Sequence, residues 1–227
     1  MFSLDKVVPW GRSFDEYRRM FLLSEQDLQS TILGCGDGPA SFNAEASARG
    51  CKVISCDPLY RFNTQQIQAR IDATYVQIMD ETRKNLDEFI WTEIPSVDAL
   101  GNLRMRAMQS FLSDYDLGKT QGRYVDAELP TLPFATVSFD LAVCSHFLFL
   151  YSMQLTREFH LASLDELCRV AREVRIFPLL ALDGTPSPYF GVALAHLGRH
   201  GFDVLIEDVD YQFRRGFNQM MRISRKD

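Results

Sequence analysis

The stretch QSTILGCGDGPASFNAEASARGCKVISCDPLY, residues 29–60, decides the fold that this sequence predicts. In order, it predicts a strand over 31–33, a glycine segment GCGDG at 34–38, a helix over 40–49 and a strand over 52–56 that ends on Asp57. Ligands of open α/β sheets bind beyond the carboxyl ends of the strands. We therefore expect the glycine segment and Asp57 to share one site.

The chemistry of that site favours a nucleoside-bearing ligand. Glycines lack Cβ, so a ligand can lie against the backbone. Asp57 follows Gly38 by 19 positions (57 − 38), and a carboxylate there accepts hydrogen bonds from both ribose hydroxyls while repelling a 2′-phosphate. Dinucleotide sites use G-x-G-x-x-G, whereas here Pro39 replaces the third glycine and offers no N–H to a pyrophosphate. A nucleotide-dependent oxidoreductase is therefore a weaker alternative.

The run LGCGDG, residues 33–38, resembles the first motif of the class I S-adenosylmethionine-dependent methyltransferases. The resemblance covers residues 30 to about 223, apart from an insert at 61–121. It implies a Rossmann-like α/β methyltransferase fold, with a seven-stranded, mostly parallel sheet containing one antiparallel strand. It also implies S-adenosyl-L-methionine as cofactor and one domain over residues 1–227. The segments WGRSFDEYRRMF, GPASFNAE, CDPLYRF and CSHFLFLY look like a bacterial branch of this family.

The resemblance also implies which residues contact the cofactor. The glycine loop passes the methionine part, and Asp57 holds the ribose. The implied cofactor-binding residues are Gly34, Cys35, Gly36, Gly38, Pro39, Asp57, Pro58, Leu59, Asp126, Ala127, Ser145 and His146. Asp126 would accept from the adenine amino group, although a solvated acid at a strand end is the alternative. The family usually has an acid where Ile32 stands, so a contact to the methionine end comes from elsewhere or is absent.

Two segments fall outside the β-α pattern. Residues 1–29 predict an N-terminal helical cap, in which Ser13 and Glu16 form a capping box for a helix through about residue 23. This helix either covers the cofactor mouth or only a sheet edge. Residues 61–121 predict a helical insertion whose apolar stripe continues through residues 86, 89 and 90, with a second helix from Ser96 to Gly118. We expect the insertion to pack at the cofactor side and to restrict acceptor size, while a scaffold or a homodimer contact remains open.

The fourth strand, over 138–145, leads to the candidate catalytic residues. In the resembled family the end of this strand faces the methyl group that is transferred. His146 follows it directly and is the candidate general base, because imidazole titrates near neutral pH. Tyr151 is the second candidate and could orient the acceptor. The alternative is that His146, held by Ser145, only closes the strand end.

The remaining pattern predicts helices and strands up to the end of the sheet. The predictions are a helix over 156–172, a strand over 174–180 with Pro178 at its end or at a bulge, a helix from Ser187-Pro188 to Gly201, and a hairpin of strands at 202–209 and 219–223. This last helix carries His196 and His200 at helical spacing. No acid or cysteine is close in sequence, so we read the pair as an exposed helix end and expect no metal site.

Composition limits the classes of function and partner. The 227 residues are 46% apolar and carry a net charge of −6. An acidic chain without a long basic patch argues against nucleic acid, and no apolar run approaches the length of a membrane span. The five cysteines without a C-x-x-C pair, and a start that lacks a signal peptide, indicate a cytoplasmic location. The sequence therefore predicts a methyltransferase with a small-molecule acceptor. The alternative is a protein that binds S-adenosylmethionine or S-adenosylhomocysteine without transfer.

Overall fold

The computed structural model describes residues 7–226, and its centre is a seven-stranded sheet in the order β3-β2-β1-β4-β5-β7-β6. The strands are β1 (Thr31–Cys35), β2 (Lys52–Cys56), β3 (Tyr124–Val125), β4 (Phe139–Ser145), β5 (Ala171–Phe177), β6 (Phe202–Asp208) and β7 (Gln219–Arg225). β1 to β5 pair in parallel, and β7 runs antiparallel to both β5 and β6. This confirms the predicted Rossmann-like methyltransferase fold.

Seven α-helices flank or extend this sheet within the described residues. They are α1 (Phe14–Met20), α2 (Glu25–Gln29), α3 (Phe42–Ala48), α4 (Thr64–Lys84), α5 (Val97–Thr120), α6 (Arg157–Val170) and α7 (Phe190–Arg199). Short 3-10 turns occupy Pro58–Arg61 and Leu86–Glu88. None of the described helices is both long and apolar enough to span a membrane.

The sheet has an apolar core on each face, as the alternation of side chains along its strands requires. In β4, Ala142 and Cys144 belong to the core that contains residues of α6 and α7. Leu141 and Val143 belong to the opposite core, with residues of α1 and α3. The N-terminal helix is therefore part of the domain core. All five cysteines are free, and all but the half-buried Cys51 are buried.

The N-terminal segment contains one helix more than predicted. The capping box of Ser13 and Glu16 is present, but α1 ends at Met20 instead of about residue 23. A second capping box, formed by Ser24 and Asp27, begins the five-residue helix α2. A helix of five residues has almost no periodicity, so the sequence pattern does not indicate it.

The insertion forms the two long helices that the sequence predicts, with different ends. The prediction that residues 86, 89 and 90 continue the first helix is wrong, because α4 ends at Lys84 and the Ile90 amide instead bonds the Phe213 carbonyl. Gly118 does not end α5, which continues to Thr120. A Cβ on Gly118 would overlap the Tyr124 ring, so this glycine permits close packing of α5 on β3.

Two boundaries near β5 also differ from the prediction. α6 ends at Val170, and β5 begins immediately at Ala171, which pairs with Phe139. Pro178 follows the last residue of β5, where it was expected. Ser187 does not cap α7, which begins at Phe190, because the Ser187 hydroxyl is 2.6 Å from that of buried Ser152 and anchors the preceding loop.

Candidate functional site

A cavity of about 730 Å³ lies at the carboxyl ends of the parallel strands. Its wall includes most of the predicted site residues, namely Cys35, Gly36, Gly38, Asp57, Pro58, Leu59, Ala127, Ser145, His146 and Tyr151. The segment before α1, the helix α4 and the loop between β6 and β7 also contribute to the wall. The ends of β1, β2 and β4 thus meet at one site, as parallel topology predicts.

The glycines of the loop after β1 have separate roles. A Cβ on Gly34 would overlap the Asp37 carboxylate, so Gly34 makes room for that side chain. Gly36 and Gly38 have φ values of +69° and +53°, which favour glycine. A Cβ on Gly36 would lie 3.2 Å from the Phe147 ring. The G-x-G-x-G spacing therefore lets the loop turn tightly around Asp37 while its backbone borders the cavity.

Asp57 directly follows β2 and holds the glycine loop in place. Its Oδ2 accepts from the Gly38 amide at 2.9 Å, and its Oδ1 accepts from the Leu59 amide at 2.7 Å. Burial raises the pKa of Asp57 to about 6, although the two amides favour the charged form. Each carboxylate oxygen retains accepting capacity after these bonds. The carboxylate can thus accept two further donors from a ligand in the cavity.

The insertion supports this corner from behind. Tyr60, in the 3-10 turn after Asp57, donates its hydroxyl to the Gly38 carbonyl at 2.8 Å. Tyr115 of α5 donates to the Tyr60 carbonyl, also at 2.8 Å. Lys119, one turn further on, donates to the same carbonyl at 2.6 Å. α5 therefore fixes the turn that fixes the glycine loop.

Asp37 is a cavity residue that the sequence analysis did not assign. Its side chain accepts from the Tyr17 hydroxyl at 2.8 Å and from the Ser55 hydroxyl at 2.6 Å. The residue is only 6% exposed, and burial raises its pKa to about 7. No cation forms an ion pair with it among residues 7–226. Its position inside the glycine segment at 34–38 is the feature of the sequence that could have indicated a role at the site.

A buried charged cluster lies on another side of the cavity. Arg104 of α5 is 1% exposed and donates to Glu16 at 2.6 Å, while Tyr211 donates to the other Glu16 oxygen at 2.9 Å. Burial alone would raise the pKa of Glu16, but Arg104 and Arg12 outweigh burial and hold it at about 2. Arg12 donates to the Trp10 carbonyl at 2.9 Å, and its buried Nε has no partner within the described chain. The guanidinium groups of Arg12 and Arg104 thus face one carboxylate, that of Glu16, and the cluster carries one excess positive charge. The spacing of these residues along the sequence does not indicate this cluster.

His146 lies at the cavity wall with an unusual backbone. Its φ of +51° is left-handed, and its amide bonds the Phe177 carbonyl at 2.6 Å. Its Nδ1 lies 3.0 Å from the Ser145 hydroxyl. Burial and then the charges of Arg12 and Arg104 bring the pKa of His146 well below its ordinary value. The imidazole is therefore neutral at physiological pH, but a weak base.

The other candidate catalytic side chain, Tyr151, is also at the cavity. Its hydroxyl oxygen accepts from the Val8 amide at 3.4 Å, which ties it to the segment before α1. Burial raises the pKa of Tyr151, so the phenol stays protonated at neutral pH. Tyr151 can thus donate a hydrogen bond to a ligand but cannot serve as a base.

Three predicted residues do not line the cavity. Gly34 is covered by the Asp37 side chain. The Pro39 carbonyl packs against Gly11 so closely that a Cβ on Gly11 would overlap this carbonyl. Asp126 faces Arg61 at 3.3 Å, with both side chains largely exposed. Glu128, two residues further on, lines the cavity instead. Of these two acids after β3, Glu128 is therefore the one at the cavity wall.

The cavity extends beyond the strand ends into an apolar chamber. The chamber wall consists of Trp10, Ile78, Phe89, Leu182 and Phe213, which pack as one cluster. Ile78 belongs to α4, so the first insertion helix forms part of the cavity wall, on the side that we expected. The structure thus joins a polar corner at Asp57 to a chamber suited to an apolar group.

Outside the cavity, Asp165 of α6 lies beside His196 of α7 and His200, the residue that follows this helix. Asp165 is distant from this pair along the sequence but close to it in space. α6 and α7 pack together, and this packing brings Asp165 to the histidines.

Searches against known proteins place the chain among relatives. No family model matches it. Solved structures with a similar fold include PH0226 protein and a putative RNA methyltransferase, PH1948, both from Pyrococcus horikoshii, with TM-scores of 0.49 and 0.48 at 10% and 12% identity. The matches cover 94% of this chain and 89% and 85% of those chains. Magnesium protoporphyrin IX methyltransferase (ChlM) from Synechocystis PCC 6803 with bound SAM matches at a TM-score of 0.45 and 12% identity, covering 94% and 91%. These likenesses are too distant to assign a function.

A much nearer relative comes from the curated proteins. It is the uncharacterized protein MJ0045 of Methanocaldococcus jannaschii, 32% identical over 225 residues and covering 98% of each chain. This relative is archaeal, so the expectation of a bacterial branch has no support. Because identity at this level extends over nearly the whole length of both proteins, the chain belongs to the same family as the uncharacterized protein MJ0045.

Proposed function

We propose that this protein is an S-adenosylmethionine-dependent methyltransferase that acts on a small-molecule acceptor. The observation that carries the proposal is the arrangement of Asp57. Its carboxylate is held by the Gly38 and Leu59 amides and faces a cavity of about 730 Å³ at the strand ends of a methyltransferase-type sheet. That volume lies within the range of about 300–1,000 Å³ for small-molecule sites.

The residues of the cavity fit the charges of the cofactor. Asp57 would accept from the ribose hydroxyls, while Ala127 and Glu128 lie where the adenine would reach. Asp37 would accept from the amino group of the methionine part, because it has a desolvated carboxylate without a cation partner among the described residues. Arg12, whose Nε has no partner there, would bind the carboxylate of the same part. In this proposal Asp37 replaces the acid missing at Ile32.

When bound, the cofactor supplies a methyl group already activated by its sulfonium. The protein has to align the acceptor, exclude water and accept a proton. His146 can accept one because it is neutral, but its low pKa makes proton transfer to it unfavourable unless the acceptor is itself acidic. Tyr151 would orient the acceptor by donating a hydrogen bond.

The chamber supports an acceptor with an apolar body. Its aromatic and aliphatic side chains can bury such a body. α4 closes one side and would limit acceptor size. The net charge of −6 gives a nucleic acid no favourable surface potential. We therefore propose a small-molecule acceptor, a cytoplasmic location and no nucleic acid partner.

The test has a binding part and a transfer part. Calorimetric titration should show saturable binding of S-adenosylmethionine and S-adenosylhomocysteine, with no binding of NAD as a control. Cofactor labelled in the methyl group, incubated with a fractionated small-molecule extract, should then give a labelled product in mass spectrometry. Failure to bind either cofactor form would refute the proposal. Tight binding without methyl transfer to any fraction would favour the alternative, a protein that binds the cofactor without transfer.

A further inference from the structure

A cluster of three potential metal ligands lies where α6 meets α7, outside the cavity wall. Asp165, His196 and His200 each offer a ligand atom, and these atoms all lie within 4.8 Å of one another. Among residues 7–226, this is the one group of three or more histidine, cysteine or acidic side chains with such spacing. Two imidazoles and a carboxylate are typical ligands of zinc and of neighbouring divalent transition metals.

One hydrogen bond of the cluster leaves a ligand atom of His200 available. The Nδ1 of His200 lies 2.8 Å from the His196 carbonyl. Because a carbonyl only accepts, Nδ1 carries the proton, and the Nε2 lone pair is left free for an ion. A backbone carbonyl that fixes the tautomer of a ligand histidine in this way is common at metal sites.

The other two ligands already point at each other. His196 Nε2 lies 2.7 Å from Asp165 Oδ1, and the rings of His196 and His200 have centroids 4.2 Å apart. Ligand atoms of a tetrahedral site with bonds of ~2.1 Å are about 3.4 Å apart, so a small rotation of exposed side chains completes the site. Asp165 and His200 are exposed, which permits this adjustment.

We propose that Asp165, His196 and His200 bind one divalent transition-metal ion of the zinc class, with water in the fourth position. The ion replaces the proton between His196 and Asp165. In a neutral His196 that proton moves from Nε2 to Nδ1, while a His196 protonated on both nitrogens releases it to solvent. Because the ligands belong to two helices that pack together, the bound ion links α6 to α7. This site is independent of the proposed methyl transfer, since none of its residues lines the cavity.

The test uses the untagged full-length protein, freed of metal with a chelator and titrated with Zn²⁺ alone. We expect one ion per chain and a higher unfolding temperature with Zn²⁺, and neither effect with Mg²⁺, which prefers oxygen ligands. The chain has four histidines. In NMR spectra the imidazole signals of His196 and His200 should shift on adding Zn²⁺, while those of His146 and His160 should not.

Substitutions decide where the ion binds. His200→Gln and Asp165→Asn should each lower zinc affinity at least roughly tenfold, and should remove the rise in unfolding temperature. Glu158→Gln, an exposed acid on the same helix α6, is the matched control and should change neither. Retention of full zinc affinity in both site variants, or absence of zinc binding in the unsubstituted protein, would overturn the proposal. The unfolding temperatures without metal show whether the variants are folded.

Discussion

Asp57→Ala tests the proposed cofactor site most directly. The substitution removes both acceptors for the ribose hydroxyls and also the bonds to the Gly38 and Leu59 amides. A hydrogen bond to a charged group contributes about 1.5–3 kcal/mol. Two such bonds sum to about 3–6 kcal/mol, and the partly buried carboxylate must also lose its water when it binds. Using the lower end, about 3 kcal/mol, we expect an affinity loss of roughly a hundredfold.

The assay is calorimetric titration with S-adenosylhomocysteine, which does not turn over. Asp126→Ala is the matched control, because Asp126 also follows a strand end but does not itself line the cavity, although its partner Arg61 does. Its affinity should stay within about threefold of the unsubstituted protein. Unfolding by urea must show that Asp57→Ala remains folded, since it also loses two loop contacts. A folded Asp57→Ala protein with unchanged affinity would refute the role of Asp57, and with it the reasoning from the strand end to the ribose.

Three other perturbations test the electrostatics of the cavity. Burial raises the folded-state pKa of Asp37 to about 7 from an ordinary 3.8, so the folded state binds more protons than the unfolded state between these values. This proton binding favours folding at pH 5.5 over pH 8, so in urea unfolding of the ligand-free protein the unfolding free energy at pH 5.5 minus that at pH 8 should be larger than in Asp37→Asn. Arg104→Met leaves Glu16 buried without its main partner and should cost about 3–5 kcal/mol of unfolding free energy, against less than about 1 kcal/mol for the exposed Arg83→Met. His146→Asn should keep cofactor affinity and, once an acceptor is known, lower turnover at least about tenfold if His146 accepts the proton. Unchanged turnover would leave His146 as a wall of the cavity.

The parts of the fold that were predictable are those with strong local signals. Glycines at 34, 36 and 38 and the acid at 57 specified a strand-loop-helix-strand unit, because left-handed φ values and strand ends restrict residue choice. The hairpin of β6 and β7 followed from two strands without a helix between them. These features depend on neighbouring residues, so they can be read along the chain.

The missed features depend on contacts between distant segments. Ala171 looks helical locally but begins β5, because pairing with Phe139 outweighs local propensity. Ser187 looks like a helix cap but bonds Ser152, 35 positions away. The link between Arg104 and Glu16 spans 88 positions, and no local pattern indicates it. Tertiary contacts of this kind override propensity without leaving a trace in composition or period.

The insertion shows how such distant contacts shape the proposed site. The loop after β1 uses glycines because it needs positive φ values, but glycine also adopts many other backbone conformations. The loop alone would therefore not hold a fixed shape. Tyr60 restrains it by donating to the Gly38 carbonyl, and α5 restrains Tyr60 through Tyr115 and Lys119. The same helix carries Arg104, which lines the cavity and pairs with Glu16. One helix of the insertion therefore contacts both the turn after Asp57 and the charged cluster beside Arg12. The 66 positions between Asp57 and the residue before β3 (123 − 57) thus form part of the wall around the cavity and not a detached unit.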